Sequence, residues 1–93
     1  MSEPIRIRAL VEGQVQGVYY RASTRERALQ LGLTGWVRNL SDGRVEFEVQ
    51  GSPERVNRLI AWAKIGPDHA QVDSVFQEEV PSLPGEKSFQ ITR

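Results

Sequence analysis

EGQVQGVYYR, residues 12–21, lies where an alternating apolar run gives way to a run of helix formers. Upstream, Ile5, Ile7, Ala9 and Val11 alternate with Arg6, Arg8, Leu10 and Glu12, the period of a strand with one face for a core. Downstream, RASTRERALQLG (21–32) favours helix, and Gly32 marks its C-terminal stop. Ala22, Leu29 and the Ala28/Leu31 pair are the candidates for its buried face, a thin stripe. Between the two runs, Gly13 and Gly17 permit backbone angles that other residues avoid. Successive N–H groups of such a loop converge into a concave nest, with the positive end of the following helix behind it. The stretch therefore predicts an anion site of a size suited to a phosphoryl group. It is not a nucleotide fingerprint, because GxxxGxxxR lacks both the GK[ST] ending and the GxGxxG spacing. A lone Gly-x-x-x-Gly more commonly just makes a turn. Arg21 argues otherwise: a cation in the first helical turn opposes the helix dipole, and its planar fork suits two hydrogen bonds to the same anion.

Working outward, LTGWVRNL (33–40), SDG (41–43) and RVEFEVQG (44–51) read as two strands joined at Asp42-Gly43, a strong hairpin signal. Val45, Phe47 and Val49 alternate with Glu46, Glu48 and Gln50, so the glutamates are expected to form a solvated charge row on the outer face. Ser52-Pro53 reads as an N-cap followed by proline in the first turn of a second helix. Val56, Leu59, Ile60 and Ala63 recur at helical spacing, with Trp62 at the edge of that stripe, and Gly66-Pro67 ends it. Residues 71–80 form a further strand with weaker alternation, 81–86 a loop, and SFQIT (88–92) a short last strand. The order β-α-β-β-α-β predicts an α+β, ferredoxin-like βαββαβ sandwich. Two helices lie on one face of an antiparallel four- to five-stranded sheet, all in a single domain spanning residues 1–93.

Composition narrows the chemistry. The chain has 93 residues, 39% hydrophobic and 26% charged, ordinary values for a soluble globule. It carries no cysteine and a single histidine, His69, which excludes disulfides, thiolate nucleophiles and Cys/His metal clusters. Aspartate-nucleophile phosphatases need a DxD-type strand end, which is absent, and the acidic residues are too scattered for a two-metal site. His69 falls in the loop after the second helix and is expected to be solvated and far from the anion loop. No apolar run approaches membrane-spanning length, so a cytoplasmic protein without membrane contact is expected. Formal net charge is zero, which weighs against a nucleic-acid binder. An RNA-binding module on the same topology would need basic and aromatic residues on the strand that here reads RVEFEV, and its glutamates would repel phosphates.

Together, GQVQGVYYR (13–21), LGLTGWVRN (31–39), DGRVEFEVQG (42–51) and GPDHAQVDSV (66–75) resemble the acylphosphatase family, in order and with matching spacing over nearly the whole chain. The resemblance implies metal-independent hydrolysis of the carboxyl–phosphate bond of acyl phosphates, with no cofactor. It implies that Gln14, Val15, Gln16, Gly17, Val18, Tyr19 and Tyr20 form the phosphate cradle, that Arg21 binds the phosphoryl group, and that Asn39 orients the attacking water. By itself Asn39 would pass for a strand-end or turn residue. The chain departs from the family at Arg44, where members often carry threonine, and at Tyr20, where they often carry phenylalanine.

An acyl phosphate has a good leaving group, so the demands are positioning and charge neutralisation rather than strong acid catalysis. The asparagine amide has both an acceptor and a donor for a water. It takes no proton at neutral pH, and the resemblance implies that a substrate phosphate oxygen does. Inorganic phosphate is expected as product and competitive inhibitor, and the enzyme as a monomer. The rival reading keeps the fold and the cradle as a non-catalytic phosphate-binding domain. Related domains occur fused within larger carbamoyl-transferring proteins; no linker is apparent here, which favours the free enzyme. Trp36 is expected to pack, and Thr24 to brace Arg21 or the loop. Of Tyr19 and Tyr20, one is expected to pack under the loop and the other to flank the ligand mouth, in either order.

Overall fold

The computed structural model describes residues 3–92. Its strands are β1 (Ile5–Gln14), β2 (Thr34–Asn39), β3 (Val45–Gly51), β4 (Gln71–Val80) and β5 (Phe89–Ile91), and its helices α1 (Tyr20–Gln30) and α2 (Pro53–Ala63). The sheet order β4-β1-β3-β2-β5 is the ferredoxin-like order with one strand added beside β2. β1 pairs antiparallel with both β3 and β4, and β2 antiparallel with β3. β5, however, runs parallel to β2, so the five-stranded sheet is mixed. The cause is topological. β4 and β5 are consecutive strands at opposite edges, and β4 ends where β1 begins. The chain crosses that end of the sheet in residues 81–88 and turns up along β2.

One face of the sheet carries the core. Ala9, Val11, Val37, Val45, Phe47, Val49 and Phe89 are buried there with Val56, Leu59, Ile60 and Ala63 of α2. Burying Val56, Leu59 and Ile60 contributes about 1.5–3 kcal/mol each. α2 begins as its sequence requires: Ser52 accepts a hydrogen bond from the Arg55 N–H, and Pro53 stands at the first helical position. α1 buries only part of the stripe expected: Ala28 is in the core and Leu31 packs half-buried against it, but the rest of the inward row is different. Tyr20, Thr24 and Ala28, spaced one turn apart, face inward, while Leu29 is exposed, as is Ala22. Tyrosine and threonine fill this row because their hydroxyls find partners inside: Tyr20 donates to the Ala63 carbonyl at 2.7 Å and Thr24 to the Tyr20 carbonyl at 2.7 Å. Thr24 thus bonds within its own helix and touches no loop residue through that hydroxyl. Burial pushes the Tyr20 phenol well above its ordinary range.

The opposite face is not the solvated charge row that alternation suggests. Glu46 is only 4% exposed and bridges Arg8 (2.7 Å) and Arg38 (2.6 Å) on the two flanking strands. Arg38 in turn stacks over Trp36, its guanidinium carbon 5.3 Å from the ring centre. Arg6 is buried beneath the crossing segment, bonded to Glu48, Glu86 and the Gln50 side chain. Burial alone would lower the pKa of its guanidinium; the bonds to Glu86 and Glu48 outweigh that and raise it. Register sets these cross-strand pairs: Arg38 stands directly opposite Glu46, whereas Arg8 and Arg6, opposite Glu48 and Gln50, reach the diagonal glutamates Glu46 and Glu48.

Candidate active site

Three pieces of the fold meet beyond the C-terminal ends of β1 and β2. The first is the loop. β1 shifts register against β4 between Glu12 and Gly13, and a Cβ on Gly13 would lie 2.0 Å from the Gln71 carbonyl oxygen. Gly13 therefore serves the close approach of β4 rather than the anion nest. Gly17 is different: its φ is +75°, and no heavy atom lies within 4 Å of where its Cβ would be. Tyr19 also adopts the left-handed region, at φ 63°, an uncommon state for a residue with a side chain. Such strain, of order 1–3 kcal/mol, collects at ligand sites.

The second piece is the N-terminus of α1. Tyr19 is its N-cap and supplies no side-chain cap, in contrast to Ser52 on α2. The first bond to form is Ser23 N–H to the Tyr19 carbonyl, at 2.9 Å. Among the described residues, no backbone N–H from 16 to 22 donates to a protein acceptor. Arg21 is the second residue of this helix, and among the described residues no carboxylate pairs with it. It shares a hollow of about 360 Å³ with Val15, Gly17, Tyr19, Tyr20, Ala22 and Ile91.

The third piece is the β2–β3 hairpin. It closes through Leu40 N–H to the Arg44 carbonyl (2.8 Å) and Gly43 N–H to the Leu40 carbonyl (3.2 Å). Arg44 is occupied by Asp42 at 2.8 Å, and its side chain and N–H together hold the Asp42 carboxyl below the ordinary carboxylate range. Asn39 ends β2. Its Oδ1 is buried and has no hydrogen-bond partner. The loop and the hairpin are tied by Gln16, whose amide donates to the Leu40 carbonyl at 2.8 Å and the Arg44 carbonyl at 3.0 Å.

The candidate residues thus divide by role. Val15 and Tyr20 are buried supports, and the two tyrosines separate cleanly: Tyr20 is 1% exposed under the loop and Tyr19 81% exposed at the mouth. Gln16 spends its side chain on the hairpin. Arg21 faces the hollow, whereas Asn39 does not line it and stands at the end of β2. His69 is exposed and does not line the hollow. Its loop is nevertheless at the same end of the sheet, because Gln71 pairs with Gln14 and Gly66 packs against the Tyr20 ring. Ile91 was not a candidate. Its parity with the buried Phe89 was the available signal, since both point to the helical side of β5. Among the described residues no group of three or more His, Cys, Asp or Glu is placed to hold a metal, and no helix is long and apolar enough to cross a membrane.

The family model for acylphosphatase matches residues 7–91. The chain belongs to the acylphosphatase family. It is 50% identical over 86 residues to an acylphosphatase of Rubrobacter xylanophilus, covering 92% of this chain and 78% of the relative. It is 48% identical to that of Acaryochloris marina, over 100% of this chain and 99% of the relative. Among solved structures, the acylphosphatase from Bacillus subtilis superposes with a TM-score of 0.91 at 32% identity, covering 96% of this chain and 99% of that one. The sheet order and the strand–loop–helix that carries Arg21 are therefore those of an acylphosphatase-family enzyme.

Proposed function

We propose that the chain hydrolyses the carboxyl–phosphate bond of acyl phosphates, with the loop 14–20 and Arg21 holding the phosphoryl group and Asn39 directing the water. The observation that carries this is that, among the described residues, the N–H groups from 16 to 22 have no protein acceptor and Arg21, in the first turn of the helix they lead into, has no carboxylate partner. Backbone donors of this kind stabilise charge without reorganising, and the guanidinium adds a bidentate partner. The orphaned Asn39 Oδ1 is an acceptor in want of a donor, and a water O–H meets that need.

In the proposed step a water oxygen attacks phosphorus in line. The bond from phosphorus to the bridging oxygen breaks, and its electron pair leaves with the carboxylate. The water proton passes to a phosphoryl oxygen, because Asn39 has no basic electron pair to take it at neutral pH. The products are a carboxylate and inorganic phosphate, and phosphate competes for the same donors. No metal or cofactor enters this scheme. The same proposal takes the enzyme as a cytoplasmic monomer.

Hydrolysis of benzoyl phosphate in excess EDTA, beside a simple phosphate monoester, tests the reading. Rapid EDTA-resistant loss of the acyl phosphate with the monoester intact is the expected result. Phosphate binding without turnover would mark a non-catalytic binding domain, and inhibition by EDTA would refute the metal-free route.

The tether makes a separate prediction. Gln16→Ala removes both bonds that fix the hairpin, and with it Asn39, relative to the loop. A displacement of about 1 Å at a reacting group lowers rates by up to 10²-fold. Turnover is expected to fall about 10–100-fold while inhibition by phosphate stays near its original strength. In an Asn39→Ala background the further loss should vanish, because the tether then has nothing to place. Equal losses in both backgrounds would show that Gln16 acts elsewhere.

A further inference from the structure

We propose that the helical layer is an anion-collecting surface, whose unneutralised charges at Arg25, Arg27 and Lys64 draw small dianions over α1 to the loop beside Arg21. This rests on the reading above that the loop 14–20 and Arg21 hold a phosphoryl group, and adds how such a ligand reaches them. The zero net charge of the chain conceals an uneven distribution. Of its 12 basic and 12 acidic residues, six basic and only two acidic fall in the two helices and their C-caps. The sheet and loops carry the balancing excess of acid. The cations are also sorted by partner. Arg6, Arg8 and Arg38 on the open face, and Arg44 in the hairpin, are each bridged to a carboxylate. Among the described residues of the helical layer only Arg58 is, to Glu54 at 2.8 Å. Arg21, Arg25, Arg27, Arg55 and Lys64 have no carboxylate partner there.

Two of these cations are held by groups that leave their charge intact. Arg25 donates from Nε to the Phe89 carbonyl at 3.1 Å, and Arg27 lies over Trp62, its guanidinium carbon 5.4 Å from the ring centre. The helices run antiparallel: Tyr20 at the start of α1 bonds to the Ala63 carbonyl at the end of α2, and Arg55 near the start of α2 reaches the Leu31 carbonyl at 3.5 Å. Lys64, the C-cap of α2, therefore stands at the loop end, where it also offsets the negative end of that helix's dipole. Arg25 and Arg27 follow Arg21 by about 6 and 9 Å along α1, at about 1.5 Å per residue. Both lie within one Debye length of about 10 Å at 0.1 M salt, so their fields add at the helix N-terminus. The opposite approach repels. Where β1 enters the loop, Glu12, Asp42 and Asp73 share a hollow with Arg44, whose charge Asp42 already meets. An anion is thus favoured over the helices and disfavoured from the hairpin side. Surfaces charged in this way raise the local concentration of their ligands.

Inorganic phosphate is the probe, its dissociation constant measured by calorimetry so that turnover plays no part. The Debye length is about 30 Å at about 0.01 M ionic strength and about 3 Å at about 1 M. At the lower value Arg27→Gln and Lys64→Gln should each weaken phosphate binding about two- to fivefold, the Coulomb effect of one unit charge on a dianion about 8 Å away in water. Glu26→Gln should strengthen binding by a similar factor. Arg27→Lys keeps the charge and should bind as the unaltered protein does. Lys87→Gln should change the affinity by less than about 1.5-fold on the same Coulomb estimate. Its neighbour Ser88 bonds to Gly35, which stands across β3 from Ile7, about 23 Å along β1 from Gln14 at about 3.3 Å per residue. At about 1 M salt all five variants should match the unaltered protein. Unchanged low-salt affinity in both Arg27→Gln and Lys64→Gln overturns the inference alone. So do losses that persist at high salt, an equal loss in Arg27→Lys or Lys87→Gln, and weaker binding in Glu26→Gln. Failure of the unaltered protein to bind phosphate at any salt overturns the reading of the loop and the inference with it.

Discussion

Arg21→Ala is expected to lose roughly 2–5 kcal/mol of phosphoryl binding, the usual cost of truncating one side of a desolvated charge pair. At about tenfold per 1.4 kcal/mol, that weakens inhibition by inorganic phosphate at least about 30-fold. The backbone donors remain, so binding is reduced rather than abolished. The stability of the fold should move the other way. Among the described residues Arg21 forms no ion pair, and it places a positive charge at the positive end of α1. Removing such a charge typically stabilises a helix by about 0.3–1 kcal/mol. The expected signature is thus a large loss of phosphate affinity with an unchanged or slightly raised Tm. Full phosphate affinity in the variant would refute the assignment of Arg21. A fall in Tm would show that the side chain has a packing role beyond the anion.

Asn39→Ala separates binding from turnover. It is expected to retain phosphate inhibition and lose about 10²–10³-fold in kcat, the range seen when one oriented polar group is taken from a transition state. Its structural cost is small, because the buried Oδ1 has no partner in the fold to leave behind. Asn39→Asp has nearly the same shape but sets a carboxylate beside the phosphoryl group, and should weaken phosphate inhibition as well. Turnover surviving in the alanine variant would remove the water-directing role. Together the two substitutions dissociate the parts of the site: loss of Arg21 acts on affinity, and loss of Asn39 on rate.

Much of this was legible in the chain itself, for physical reasons that differ by element. α2 announced both its ends and its buried face, because its N-cap, its proline and its aliphatic stripe all point the same way. The β2–β3 hairpin was likewise written in Asp42-Gly43 and confirmed by Arg44 bonding back to Asp42. α1 was harder. Its inward row of Tyr20, Thr24 and Ala28 has little aliphatic character, and only the tertiary partners of the two hydroxyls make it a core face. The open face misled in the opposite sense. Alternation cannot distinguish a wetted glutamate from one clamped between two arginines on neighbouring strands, as Glu46 is. Within the site, Arg21 stood out because it violates the helix-dipole preference, whereas Gln16 and Ile91 carry no local anomaly. Their roles depend on what the fold brings opposite them, Leu40 and Arg44 for one, the start of α1 for the other.

The crossing segment at residues 81–88 bears on how the molecule opens. β4, β1, β3 and β2 are hydrogen-bonded to one another without help from the last residues. β5 is three residues long, and its approach is moored at the far end of the sheet by Arg6, Glu86 and the Gln50–Leu83 bonds. Proteins open in cooperative units of unequal free energy, and short edge strands lie at the low end. Undocking of β5 would strip Ile91 from the hollow and leave the loop, α1 and the hairpin in place. The loop around Arg21 and the wall that Ile91 adds to its hollow would then have separate stabilities, and slow amide exchange in β1 and β3 would coexist with fast exchange in β5.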